Sequence, residues 1–192
     1  MYTVERYHDI SAGHRVVGHE NKCRFLHGHN YRVHFTCTPE RTLDTLGRVI
    51  DFGVIKQLLC QWLEDNWDHK MLLWENDHTM QSIASSGYGD LIEDSLVWLP
   101  FNPTAENMAA HLVNVVGPTQ LMGTGVILVC VRIDETRKCS ASFLRAENTI
   151  IYVVPENEED WCNEQAAHGL SGELCKRRKG HEDGHNLYGD PA

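Results

Sequence analysis

From residue 27 to 37 the chain reads HGHNYRVHFTC, with His27, His29, Tyr31, Val33 and Phe35 at odd positions and Asn30, Arg32, His34 and Thr36 at even ones. Side chains along a β-strand point alternately to opposite faces, so a period of two predicts a strand with one covered and one wetter face. A helix would scatter these residues around its whole circumference. His27 and His29 fall on the face of Tyr31 and Val33, the face predicted to be covered. Two imidazoles two residues apart on a strand point the same way, so both can reach one ion. Whatever fold the chain adopts must lay a covering layer over that face.

The rest of the sequence supplies the layer. Residues 3–17, rich in Val, Tyr and Ile, predict a first strand. After 27–37, Phe52, Ile55, Leu58, Leu59, Trp62 and Leu63 recur at helical spacing and predict an amphipathic helix. A second helix is predicted to start at Asn102-Pro103-Thr104, with Thr104 as its N-cap. Its buried stripe is Ala105, Met108, Ala109, Leu112 and Val115, and it is expected to end before Gly117-Pro118. Residues 125–133 alternate little, which predicts a strand covered on both faces. Further strands are expected within 140–147 and 150–154. The stretch 74–100 is only partly patterned and reads as an insertion. Strands flanking two helices predict an α+β fold, an antiparallel sheet with both helices on one face. A catalytic domain is expected over residues 1–154 and an extension over 155–192.

At 192 residues the chain fits one domain with a short appendage. A formal charge of -10 argues against a general nucleic-acid binder. An anionic substrate would have to meet local cations, for which Arg15, Lys22, Arg24 and Lys70 stand near the histidine segment in sequence. No apolar run approaches the roughly 20 residues of a membrane span, and the N-terminal residues lack the basic and apolar regions of a signal peptide. Seven cysteines at irregular spacing suit a reducing cytoplasm better than a disulfide framework. Twelve histidines invite a search for metal ligands.

Catalytic zinc commonly takes three protein ligands and keeps one position open. His27 and His29 supply two, and His14, at the end of the first strand, is the best-placed third. His8, His34 and His111 have no such role. Cys23 lies just before the pair, where a thiolate could close the site as a fourth ligand or act as a base beside an open one. Asp68-His69 follows the first helix, as an acid/base pair or as an ordinary surface pair. Glu135 sits just past a strand expected to be covered on both faces, where a carboxylate could accept two hydrogen bonds from a planar N–H/NH2 edge. Glu106, in the first turn of its helix, is placed to favour the helix dipole.

In chain order, His14, Cys23 three residues before His27-Gly28-His29-Asn30-Tyr31, Gly47-Arg48-Val49-Ile50-Asp51-Phe52, Asp68-His69, Asn102-Pro103-Thr104-Ala105-Glu106-Asn107 and Asp134-Glu135-Thr136 resemble the 6-pyruvoyltetrahydropterin synthase / 6-carboxytetrahydropterin synthase family. The resemblance implies a tunnelling fold, a four-stranded antiparallel sheet with two helices that joins others into an oligomeric barrel, commonly a hexamer of stacked trimers with active sites at subunit interfaces. It implies Zn2+ on His14, His27 and His29, Cys23 as proton-abstracting base, Asp68 and His69 as acid/base relay, and Glu135 on a pterin ring, with Thr104 and Glu106 in the pocket segment. The implied substrate is a small-molecule pterin triphosphate, with no nucleic-acid or membrane partner. The Cys-x3-His-Gly-His spacing is similar to the bacterial carboxy-forming branch, which serves 7-deazaguanine (queuosine) biosynthesis. A pyruvoyl-forming synthase and a non-enzymatic zinc- or pterin-binding module are the alternatives.

No family motif reaches the extension. There Cys162, Cys175, His181 and His185 are spaced Cys-x12-Cys-x5-His-x3-His, and the last pair resembles the histidine spacing of small zinc modules. The segment has few apolar residues with which to surround an ion, which favours a solvated extension. The two readings differ by one countable ion. If the extension is solvated, full-length protein and a chain truncated after Pro155 bind equal zinc per chain by metal analysis. One extra zinc in the full-length protein would make these four residues a second site.

Overall fold

The structure is a computed structural model, and it describes residues 1–86 and 92–146. Its frame is β1 (Val4–His14), β2 (His27–Pro39), β5 (Val126–Asp134) and β6 (Ser140–Leu144), each antiparallel to the next. Between β2 and β5 come β3 (Met71–Trp74) and β4 (Leu96–Leu99), which extend the sheet beyond β1 in parallel. The sheet is therefore six-stranded and mixed, ordered β4-β3-β1-β2-β5-β6, and not four-stranded and antiparallel as expected. The two extra strands are four residues each, too short for alternation to register in sequence. The segment read as an insertion begins where β3 ends and contains β4, so it builds one edge of the sheet. The strand expected at 150–154 and the extension lie outside the described residues.

The first helical rod is capped by Asp51, whose carboxylate accepts from Gly53 N. It runs as α1 (Phe52–Ile55), a π turn (Lys56–Cys60) and α2 (Gln61–Asn66), burying Ile55, Leu59, Cys60 and Leu63. The second is capped as expected by Thr104, whose side chain accepts from Asn107 N. It runs as α4 (Ala105–His111), a π turn (Leu112–Val116) and α5 (Gly117–Gln120). A shorter helix, α3 (His78–Ala84), lies between β3 and β4.

The second rod does not stop at Gly117-Pro118. Its π turn has already displaced the regular ladder, so proline in the first turn of α5 removes no needed donor. The buried stripe passes through Val113 and Val116, while Val115, expected inside, is 52% exposed.

The rods cover the sheet face that carries Ile10, Tyr31, Val33, Phe35, Leu128 and Ile133. The other face is polar. There Arg32 forks onto both carboxylate oxygens of Asp9 at 2.7 and 2.8 Å and stacks over Tyr7. His34 sits between Glu5 at 3.1 Å and Asp134 at 3.0 Å. On β5, expected to be covered on both faces, the side chains turned this way are half exposed, Cys130, Arg132 and Asp134 among them. Val126, Leu128, Val131 and Ile133 face the core, the alternation broken at the irregularity opposite Thr36/Cys37. That break hides the period of two in the sequence.

Gly117 sits where the second rod presses on β5. A Cβ there would lie 2.9 Å from Leu128 Cβ and Cδ2 and 3.2 Å from the Leu112 carbonyl oxygen. Gly117→Ala is expected to destabilise the fold by about 1–3 kcal/mol through overpacking, despite the better helix propensity of alanine. A lower urea midpoint with unchanged slope is the expected result; an unchanged midpoint would mean that the rod shifts freely on β5.

Candidate active site

The antiparallel register of β1 and β2 sets His14 opposite His27 and Ala12 opposite His29. Three imidazoles thereby meet on the covered face, with one ligand atom from each all within 4.8 Å of one another. His14 is 1% exposed; the other two are half-buried. His14 Nδ1 lies 2.7 Å from the Pro103 carbonyl and His27 Nδ1 lies 2.8 Å from the Phe25 carbonyl. A carbonyl only accepts, so both Nδ1 atoms carry the proton and both Nε2 atoms present lone pairs. Those two Nε2 atoms stand 3.1 Å apart, acceptor against acceptor. His29 Nε2 is buried without a hydrogen-bond partner. Burial holds the charged forms of His14 and His29 down, His14 against the opposing pull of the Pro103 carbonyl. Three converging imidazole nitrogens, two of them with lone pairs turned inward, are the donor set of a zinc-type cation, and carbonyl contacts at the far ring nitrogens, as at His14 and His27, are how such ligands are oriented.

Glu135 follows β5 directly. Its Oε1 lies 3.5 Å from His14 Nε2 and 3.6 Å from His29 Nε2. Beside the cluster is Tyr31, fully buried, its hydroxyl without a partner. Burial raises the pKa of that hydroxyl, and the charges of Glu135 and Cys23 add to the shift. Cys23 is half-buried on the short 3-10 turn Lys22–Arg24, fastened by its carbonyl to Val16 N at 2.8 Å.

Asp68 and His69 close the C-terminal end of the first rod. Asp68 Oδ2 bonds His69 Nδ1 at 2.6 Å, and Oδ1 accepts from Ser11 N at 2.8 Å. Burial raises the Asp68 pKa, but the Ser11 and His69 bonds outweigh it and the net shift is downward. His69 has φ 56, the left-handed conformation usual for glycine after a helix. A side chain kept in such a conformation fits a functional position. His69 is also 81% exposed.

A cleft of about 1150 Å3 has His29, Asp68, His69 and Glu135 in its wall, with His14 behind His29. Cys23, Thr104 and Glu106 are not in that wall. Thr104 is occupied as a helix cap, and Glu106 is exposed in the first turn. Their segment still serves the site, because Pro103 orients His14 and the Asn102 amide bonds Val17 N at 2.9 Å and Val17 O at 2.8 Å. These supporting roles of Asn102 and Pro103 were hidden in the sequence, where the segment reads only as a helix start. Among the candidate cations, Arg15 is an ion-pair partner of the buried Asp77 at 3.0 Å, though not aligned as a hydrogen bond. Lys70 bonds the Asp94 carbonyl, and Arg24 lies over the Phe25 ring. The cleft instead carries Arg32, Arg132, Arg137 and Lys138. The first two are engaged by Asp9 and by His34, whereas the side chains of Arg137 and Lys138 have no partner among the described residues.

This arrangement, a strand-borne histidine trio with a carboxylate and an Asp–His pair around one cleft, belongs to a class of small metal-site α+β enzymes. The sequence profile of the 6-pyruvoyl tetrahydropterin synthase family matches residues 3–146, and the chain belongs to that family. The 6-carboxy-5,6,7,8-tetrahydropterin synthase of Rickettsia typhi is 38% identical over 139 residues, 72% of this chain and 97% of that protein. A probable 6-carboxy-5,6,7,8-tetrahydropterin synthase of Halobacterium salinarum is 36% identical over 103 residues, 54% of this chain and 61% of that protein. Among solved structures, an uncharacterized protein of Wolinella succinogenes is similar with a TM-score of 0.65 at 20% identity, covering 76% of this chain and 98% of that one. The Caenorhabditis elegans 6-pyruvoyl tetrahydropterin synthase is similar with a TM-score of 0.52 at 20% identity, covering 76% and 96%.

The trio makes a direct prediction. Replacing His14, His27 or His29 singly with alanine should remove most of the metal bound by residues 1–154. Stoichiometric metal in each single variant, measured on folded protein, would refute the assignment.

Proposed function

We propose that this protein is a 6-carboxy-5,6,7,8-tetrahydropterin synthase, a carbon–carbon lyase that takes 7,8-dihydroneopterin triphosphate and one water to 6-carboxy-5,6,7,8-tetrahydropterin, acetaldehyde and triphosphate, in 7-deazaguanine (queuosine) biosynthesis. The observation that carries this reading is the convergence of three bare imidazole nitrogens with Glu135, in a chain that covers 97% of a relative named for that activity. The donor set favours Zn2+ held by His14, His27 and His29. When bound, that ion lowers the pKa of side-chain hydroxyls and acidifies the adjoining carbon–hydrogen bond.

The chain's own residues supply the rest. Glu135 accepts hydrogen bonds from the N–H/NH2 edge of the pterin ring and so fixes which carbon faces Cys23. Cys23, as thiolate, removes the proton next to the ring. His69, oriented by Asp68, moves protons on and off the side-chain oxygens. Arg137 and Lys138, uncommitted at the cleft rim, meet the triphosphate. Thr104 and Glu106 act through the helix start that carries Pro103 to His14.

The family resemblance extends the proposal to a homo-oligomer, a hexamer of tunnelling-fold subunits. A cytoplasmic setting is supported by the free thiols of all cysteines among the described residues. No helix among those residues is long and apolar enough to cross a membrane.

Incubating the protein with the triphosphate should yield acetaldehyde and the 6-carboxy product by mass analysis. A 6-pyruvoyl product without acetaldehyde would place the protein in the other branch. Cys23→Ala should keep its metal and lose about two to four orders of magnitude in rate, the range of a general base. Loss of the metal instead would make Cys23 a ligand.

A further inference from the structure

Glu135 stands in an awkward place for a residue that only reads a heterocycle. Its Oε1 is 3.5 Å from His14 Nε2 and 3.6 Å from His29 Nε2. The Pro103 carbonyl fixes the proton of His14 on Nδ1, so the carboxylate oxygen faces a nitrogen lone pair. Two acceptors so placed repel, and a shared cation between them would turn that contact into an attraction. A tetrahedral ion with bonds of ~2.0–2.1 Å separates its ligand atoms by about 3.3–3.4 Å, close to both distances. The carboxylate approaches His14 and His29, and of the trio it is His29 that lines the cleft together with Glu135. Glu135 is the first residue beyond β5, on a turn tied by Glu135 N to the Cys139 carbonyl at 3.1 Å, and its side chain is 26% exposed.

We propose that Glu135 is the fourth ligand of the resting metal and leaves it when the ring arrives. This inference rests on the metal and pterin roles given above. A carboxylate that turns both oxygens onto a planar N–H/NH2 edge at hydrogen-bond distance has to swing away from the position that Glu135 holds beside His14 and His29. Seating the ring would draw Glu135 off the ion and leave room there for a side-chain hydroxyl of the substrate. Ring recognition thus precedes and permits activation of the side chain. A polyol without the ring has nothing to draw Glu135 away and meets a closed ion.

The test uses full-length protein loaded with cobalt(II), whose visible spectrum reports its ligands, and unsubstituted pterin, which has the ring edge but no side-chain oxygen. Saturating pterin, with binding followed by its fluorescence, should shift the wild-type cobalt spectrum. Glu135→Gln should start from a different spectrum, show no comparable shift at saturating pterin, and hold zinc about 10-fold less tightly. A wild-type spectrum that bound pterin leaves unchanged overturns the inference while leaving the metal and pterin roles standing. The wild-type titration decides this even if the variant fails to fold. Failure of cobalt to bind would overturn the metal reading, and failure of pterin to bind the pterin reading, and either would take this inference with it.

Discussion

Two imidazole nitrogens with their lone pairs turned towards each other at 3.1 Å are the contact around which the molecule is arranged. Left alone, the pair repels. It is held by the Pro103 and Phe25 carbonyls, which take the far-side protons. Those carbonyls come from different parts of the chain, one at the entry to α4 and one at the end of the β1–β2 connection. The β1/β2 register brings the rings face to face, and a slip of one residue would turn either ring to the opposite face. Strand pairing, helix capping and loop closure are thus coupled at one point.

The cleft follows from unequal strand lengths. β2 runs from His27, but β5 pairs with it only from Arg32 opposite Asp134. Along His27 to Tyr31 the strand has β1 on one side and the turn after β5 on the other. That missing pairing makes room for a planar ligand and lets Glu135 reach the trio. Gly28 keeps the opposite side tight, since a Cβ there would come within 3.0 Å of the Ala12 carbonyl oxygen.

Much of this was legible. The period of two from His27 to Phe35 placed both histidines on the covered face, and the end of the preceding strand supplied His14 as the third. The Thr104 cap and the amphipathic rods were readable because capping and helical periodicity are local. What escaped was non-local or locally disguised. β3 and β4 are too short to carry a period, and their parallel pairing depends on a crossover. The π turns redirected the second stripe away from Val115. Arg15, a candidate for anions by proximity, is taken by Asp77, more than sixty residues later in the chain. Glu135 was found for its carboxylate, but its closeness to the histidines is a product of the β2/β5 register alone.

The two halves of the chemistry differ in their surroundings. His14 is 1% exposed at the trio, whereas His69 is 81% exposed at the dyad. A proton relay would gain from low dielectric and excluded water, and the chain shelters Asp68 to 17% exposure but leaves the imidazole in solvent. Asp68 and the left-handed backbone fix the ring's direction, so orientation is already present. β4 and β6 each pair on one side only among the described residues, so the sheet can continue into neighbouring chains from either edge. Assembly through those edges, as the family resemblance implies, would bring a second surface over His69. On this argument the proposed oligomer would complete the proposed acid/base half of the site, while the histidine trio already converges within one chain.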